Sequence, residues 1–387
     1  IVLQGSYKRD TIEEMVYITP DGSKYLSEYP YWKQLDMERG LPLFQRLESE
    51  YRGFMREKTE FLNFYEDDTY LIYADMSSAH RSVEPTDFTL VIDVLDKETD
   101  EETSFDYHLS AVEDDIHFIM VEDVQRIDDN LKIMTSNVHD NGDQSIRVYT
   151  FDMDAETLLD DETVITATEP DENHSIDFVK LPGPDDYQPE EYAVISQVET
   201  EYVEMDDGMY MDEKLSRELF AYDFATGEVE TFDPSEEWGK QPDVDLFDGS
   251  RLYVTEMEDH TLHVSIYNIA DAATADAFKV DLPKGALNDS VADDSERMGV
   301  HDAMGDSVAD DIAADDGMDD EAQKPNMTIS HNRLLIYTPT VKPEQPASLF
   351  VVDTDTGDIV YEGNIVEKDS ANDEDYTLSL HNLTLVQ

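Results

Sequence analysis

The chain has 387 residues, 93 acidic and 26 basic, giving a formal charge of −67, and it has no cysteine. Disulfides, thiolate metal sites, thiol catalysis and covalently attached c-type haem are thereby excluded, and a phosphate backbone would be repelled, which excludes nucleic acid as a partner. With 40% hydrophobic residues, 21 Tyr and 15 Phe, the chain reads as a folded body under an acidic shell, not a disordered polyanion, and no run of 18 apolar residues is present to form a membrane-spanning helix.

The charge is dispersed. Its richest stretch, 286–324, holds 13 acidic and 2 basic residues, a net of −11, which leaves −56 on the rest of the chain. Dispersed like charge repels at low ionic strength and is relieved by screening, so the composition predicts a protein of a salt-adapted microbe. The chain opens Ile1-Val2-Leu3 without a Met. It is expected to be a mature or trimmed form, extracellular or cell-surface, touching a membrane only through an anchor before residue 1.

In chain order, the first element is 15–26 (MVYITPDGSKYL), which reads as a hairpin turning at Pro20-Asp21. An insertion without strand character follows at 31–60. Within it Pro42 opens a segment where Leu43, Phe44, Leu47, Tyr51, Phe54 and Met55 fall on one face of a 3.6-residue period. Residues 31–58 hold 6 basic and 5 acidic residues, near neutral inside a strongly acidic chain. The helix is expected either to pack by its apolar stripe or to serve as a cap or docking helix. In the second case Arg46, Tyr51, Arg52 and Arg56 are the partner-binding residues, for a protein or surface-polymer partner.

Five further stretches share one form: an apolar strand closed by Asp or Asn, a short turn, and a second strand. They are 90–105, 147–165, 219–232, 264–280 and 349–360, closed at Asp93, Asp152, Asp223, Asn268 and Asp353. These closing residues lie 59, 71, 45 and 85 apart. Removing 286–324 from the last interval leaves 46, and 199–217 lengthens the second. A four-stranded unit of roughly 40–60 residues is the period of a propeller blade. One unit reads as strands at 116–126, 130–137, 146–152 and 162–168, another at 243–247, 251–257, 263–268 and 277–282. The C-terminal 376–386 offers two inner strands and 15–26 an outer hairpin, so the ends are expected to make one blade together. The fold class is therefore all-β: a single six-bladed β-propeller over 1–387, closed by its terminal strands, with a helical insertion at 31–60 and an acidic low-complexity loop at 286–324. That loop repeats the hexamer DSVADD at 289–294 and 306–311. The hairpins 219–232 and 349–360, in their apolar-x-Asp-x-x-Thr-Gly form, resemble those of quinoprotein and lactonase-like β-propellers.

The connections between second and third strands, and between successive units, share one end of such a fold. His80, His139, His174 and His260 fall there, with the insertions. His80, His139, His260 and Asp140 are the candidate metal set, and a divalent cation is the cofactor they would take. Exposed histidines in polar loops are the competing reading. The chain has no G-x-S-x-G, H-E-x-x-H or glycine-rich phosphate loop, and no catalytic residue is assigned. The sequence thus favours a non-enzymatic binding or scaffolding module, with a metal-assisted hydrolase or lyase at the histidine end as the alternative.

Overall fold

The structure, a computed structural model, describes residues 2–9, 12–19, 22–29, 42–58, 60, 63–78, 88–109, 116–168, 173–183, 189–204, 210–232, 243–258, 260–271, 273–282, 325–330, 332–337, 340–341, 347–365 and 376–384. The acidic stretch 286–324 lies outside them, as does His80.

Alternation of apolar and polar residues builds antiparallel strands, and six sheets form among the described residues. The N-terminus contributes β1 (Val2–Arg9), β2 (Ile12–Thr19) and β3 (Gly22–Tyr25) to sheet 1, and the helix α1 (Pro42–Glu50) follows. Sheet 2 is β4 (Phe64–Glu66), β5 (Tyr70–Ser78), β6 (Phe88–Asp96) and β7 (Glu101–His108). Sheet 3 is β8 (Ile116–Ile127), β9 (Asn130–His139), β10 (Gln144–Asp152) and β11 (Thr157–Ala167). Sheet 4 is β12 (His174–Lys180), β13 (Tyr192–Glu204), β14 (Tyr210–Asp223) and β15 (Val229–Phe232). Sheet 5 is β16 (Asp243–Phe247), β17 (Arg251–Glu258), β18 (Thr261–Asn268) and β19 (Ala273–Asp281). Sheet 6 is β20 (Asn326–Ser330), β21 (Arg333–Tyr337), β23 (Ala347–Asp353) and β24 (Ile359–Ile365), with the two-residue β22 (Thr340–Val341) between its second and third strands. The last strand, β25 (Tyr376–Thr384), joins sheet 1 beside β1, and β22 pairs with its other edge.

The division of sheet 1 differs from the sequence expectation. The C-terminus gives one strand, not two, and the N-terminus gives three. The stretch 199–217, expected as an extended connection, is strand: β13 and β14 run 13 and 14 residues and pair out to Glu204 and Tyr210.

Tight turns join the third and fourth strands, and their chemistry repeats. The carboxylate of Asp152 accepts from the backbone N–H groups of Asp154 and Ala155, Asp223 from Ala225 and Thr226, and Asp353 from Asp355 and Thr356. In sheet 2 this position belongs to Asp96, which accepts from Glu98 and Thr99, and not to Asp93. Asp93 lies inside β6 opposite Ser104 and pairs with Lys58 at 2.7 Å, because the strand continues through Val94 and Leu95. Gly357, at φ +74°, ends the sheet 6 turn where a Cβ would press on Phe278 of sheet 5 at 2.6 Å, so only glycine fits.

Successive sheets pack face to face over apolar cores. Ile92, Val94, Ile119 and Ile133 join sheets 2 and 3; Met134, Val148, Ile195 and Tyr222 join sheets 3 and 4. Val194, Leu219, Leu252 and Tyr267 join sheets 4 and 5; Leu262, Val264, Leu334 and Phe350 join 5 and 6; Leu335, Val351, Val16 and Leu378 join 6 and 1. The other face of sheet 2 is covered by the helix region. Leu47, Phe54 and Met55 bury themselves against Phe64, Leu71, Tyr73 and Leu95.

Candidate functional site

Two ends of the molecule must be distinguished. The turns between first and second, and third and fourth, strands lie at one, the turn end. The connections between second and third strands, and between sheets, lie at the other, the connection end. The sequence places the helical insertion at the connection end. The structure seats α1 beside sheet 2, reaching down to the turn end. Arg46 is paired with Glu66, the last residue of β4, and with Glu50 at 2.9 Å. Lys97, in the β6–β7 turn, holds Glu66 at 2.9 Å and lies 5.6 Å from the Tyr51 ring centre. Burial works against ionised Glu66, but the hydrogen bonds and charges of Arg46 and Lys97 hold its carboxyl below the ordinary glutamate range. Arg46 and Tyr51 are thus engaged within the fold. Arg52 and Arg56 are exposed and, among the described residues, in no ion pair.

At the connection end, His139 shares a 3.0 Å hydrogen bond with the Ser145 hydroxyl, and Asp140 lies 3.7 Å from Nδ1 of His117. His260 sits between β17 and β18 with Nδ1 buried and without a hydrogen-bond partner. His174 begins β12. Among the described residues no three of His, Asp and Glu gather as a metal-ligand set.

Among the described residues, a buried charged cluster carries no sequence motif. It lies where β8 and β12, the first strands of sheets 3 and 4, adjoin. The Lys180 ammonium sits 2.7 Å from Asp123 Oδ2 and 3.1 Å from Glu190 Oε2. Gln125 donates to Asp123 at 2.9 Å and accepts from the Glu190 backbone N–H at 2.9 Å. The side chains of Lys180 and Asp123 are only 10% and 2% exposed. Burial alone would lower the lysine's pKa, but the charges of Asp123 and Glu190 override it and hold the ammonium above the ordinary range. Glu190 arrives from the link between β12 and β13, residues 181–191, which departs from the short turns expected at this end. A Cβ at Gly183 would fall on the Glu190 carboxylate, so glycine makes the room. Glu122, next along β8, accepts the Ser136 hydroxyl at 2.6 Å, and burial raises its carboxyl above the ordinary range.

Repeated four-stranded antiparallel sheets, each packed on the next, put the chain in the β-propeller class. No family model matches the chain, and no curated protein matches it. Among solved structures it is similar to the β-propeller domain of the Trilobed protease from Pyrococcus furiosus, at 10% identity over 94% of this chain and 93% of that one, TM-score 0.28. It is similar to an oligogalacturonate lyase in complex with manganese, at 12% identity over 82% and 65% of the two chains, TM-score 0.28. A puromycin-hydrolyzing peptidase of Mycobacterium tuberculosis is similar at 11% identity and TM-score 0.32, over 92% of this chain and half of that one. No residue role carries over from any of them.

Proposed function

We propose that the chain is a six-bladed propeller, a single domain over 1–387, acting as a non-enzymatic extracytoplasmic binding or scaffolding module of a salt-adapted microbe. Six sheets packed in succession, and the pairing of β1 with β25, support the closed ring, with the helix region covering the face of sheet 2 that sheet 3 leaves free. The observation that carries the binding role is Arg52 with Arg56. Among the described residues the guanidiniums of Arg46, Arg126, Arg147, Arg251 and Arg333 stand in ion pairs, whereas these two exposed ones do not. At molar salt the Debye length is about 3 Å, so contact charge outweighs net charge, and the two arginines favour a protein or surface polymer carrying carboxylates or other anions. The test is capture from a cell-envelope extract at molar salt by the wild-type chain and by Arg52→Glu/Arg56→Glu. Loss of capture with an unchanged melting temperature supports the reading. Equal capture by both proteins refutes it.

A further inference from the structure

Register along the first strands, which line the axis of a propeller, shows a pattern. Those of sheets 2, 4 and 6 pair with their second strands without a break. Those of sheets 1, 3 and 5 carry β-bulges, and each unpaired extra residue is titratable: His381 in β25, His117 and Glu122 in β8, Asp245 in β16. Bulges in the outer part of the sheets leave out Val164 and Leu159 in β11, Leu215 in β14 and Val360 in β24, and the irregular step between β18 and β19 leaves Ala275 and Asp276 unpaired. A bulge re-aims a side chain, and bulges concentrate beside binding and catalytic sites.

β8 has two bulges within six residues. Between them Phe118 and Met120 are 51% and 47% exposed, two large apolar side chains left open on an axial strand. Beyond them Glu122 takes the Ser136 hydroxyl, and Asp123, Lys180 and Glu190 follow. Three carboxylates against one ammonium leave the wall negative next to the apolar pair. Alternate residues along a strand stand about 7 Å apart, so an apolar group on Phe118 and Met120 would bring a charge attached to it beside Glu122.

We propose that this stretch of β8 is a binding site for a small amphiphilic cation, an apolar body carrying a protonated amine. Phe118 and Met120 receive the apolar body, the thioether adapting to its shape, and Glu122 takes the ammonium in a charge-assisted hydrogen bond. The site is separate from Arg52 and Arg56 and does not rest on the partner they bind.

The test is calorimetric titration of the full chain with phenylethylammonium and, as the neutral counterpart, 2-phenylethanol. It is run at about 2 M salt, where diffuse attraction to the acidic shell is screened. The ammonium is expected to bind at least tenfold more tightly than the alcohol. Glu122→Gln should abolish that preference, and Phe118→Ser/Met120→Ser should remove binding of both with the melting temperature unchanged. Arg52→Glu/Arg56→Glu should bind the amine like the wild type, which separates this site from the partner surface. Equal binding of amine and alcohol by the wild type overturns the proposal, as does wild-type affinity in either β8 variant.

Discussion

The core of the junction between sheets 5 and 6 and the axial part of the junction between sheets 3 and 4 solve the same packing problem with opposite chemistry. The first is a cluster of apolar side chains, in which Leu246, Leu262, Val264, Ile266, Leu334, Ile336 and Phe350 interlock, and the junction's ion pairs, Arg251 with Asp248 and Asp355, stand beyond it at the turn end. The second keeps an apolar core in its middle but ends toward the axis in Asp123, Gln125, Lys180 and Glu190. Desolvating three ionised groups is expensive and is offset only by close pairing, so a buried triad is a poor way to gain stability over an apolar core. Its presence beside Glu122, whose carboxyl burial raises above the ordinary range, fits the ligand site proposed on β8.

The comparison breaks most sharply at Lys180. Lys180→Met leaves Asp123 and Glu190 buried without their cation and should destabilise by about 3–5 kcal/mol, measured by denaturant unfolding at molar salt. Combining it with Asp123→Asn and Glu190→Gln should recover most of that loss, since no unpaired charge remains. If the triple variant is as unstable as the single one, the triad is not acting as a compensated charge cluster. In the apolar junction Leu334→Ala should cost about 3 kcal/mol through lost burial and a cavity, and no second polar-to-neutral change should rescue it.

Salt sharpens the contrast. Melting temperature should climb between about 0.1 M and about 2 M as the dispersed surface charge is screened, and excising 286–324 should leave most of the climb, because it removes only 11 of 67 net charges. Buried pairs are screened little, so Lys180→Met should show the wild-type slope, displaced downward. A flat wild-type profile would defeat the halophilic account.

A smaller effect is expected from pH, with opposite signs in two places. Glu66, held low by Arg46 and Lys97, contributes stability that is present above the ordinary glutamate pKa and lost as pH falls through its lowered one. Glu122, raised by burial, contributes stability that is full below the ordinary pKa and lost as pH rises through its raised one. Glu122→Gln should therefore stabilise at neutral pH, with the gain vanishing under acid conditions. Melting curves across that range, compared with Glu66→Gln, should show the two differences moving oppositely. The smallest effect, within about 0.5 kcal/mol, is expected for charge reversal at exposed Arg52 and Arg56, read by thermal melting.

Much of the fold is legible in the chain because the same local chemistry recurs: apolar alternation, an Asp that caps the turn, and glycine where φ must be positive. The errors have physical causes. Asp93 sits in the same local pattern as Asp96, and only the register with β7 shows which one ends the strand. β1 escapes notice because Gly5, Ser6, Lys8 and Arg9 dilute its strand signal, and its partner β25 lies at the other end of the sequence. The helix is visible in its 3.6-residue stripe, but its seat beside sheet 2 depends on how deeply that sheet's outer face needs covering. The axial chemistry was least legible. Asp123 and Gln125 look like polar positions of an ordinary strand, and Lys180 like a strand-end cation, until two sheets abut and bury them. Bulges cannot be read from one strand at all, because the extra residue is defined by the partner it lacks.

The two-residue β22 has a mechanical consequence. Val2 pairs with Thr384 and Arg9 with Tyr376, so a pull between the outer ends of β1 and β25 acts at one end of their ladder. It peels hydrogen bonds in sequence and does not shear them together, the weaker of the two loading geometries. Peeling from Val2 passes the irregular step at Gln4 and Gly5 and then reaches Ser379 and Leu378, where Thr340 and Val341 grip the same strand from its far side. Beyond that point β25 can be drawn off only by breaking two ladders at once, so β22 is a stop that limits tension-driven opening to the first few residues of the seam.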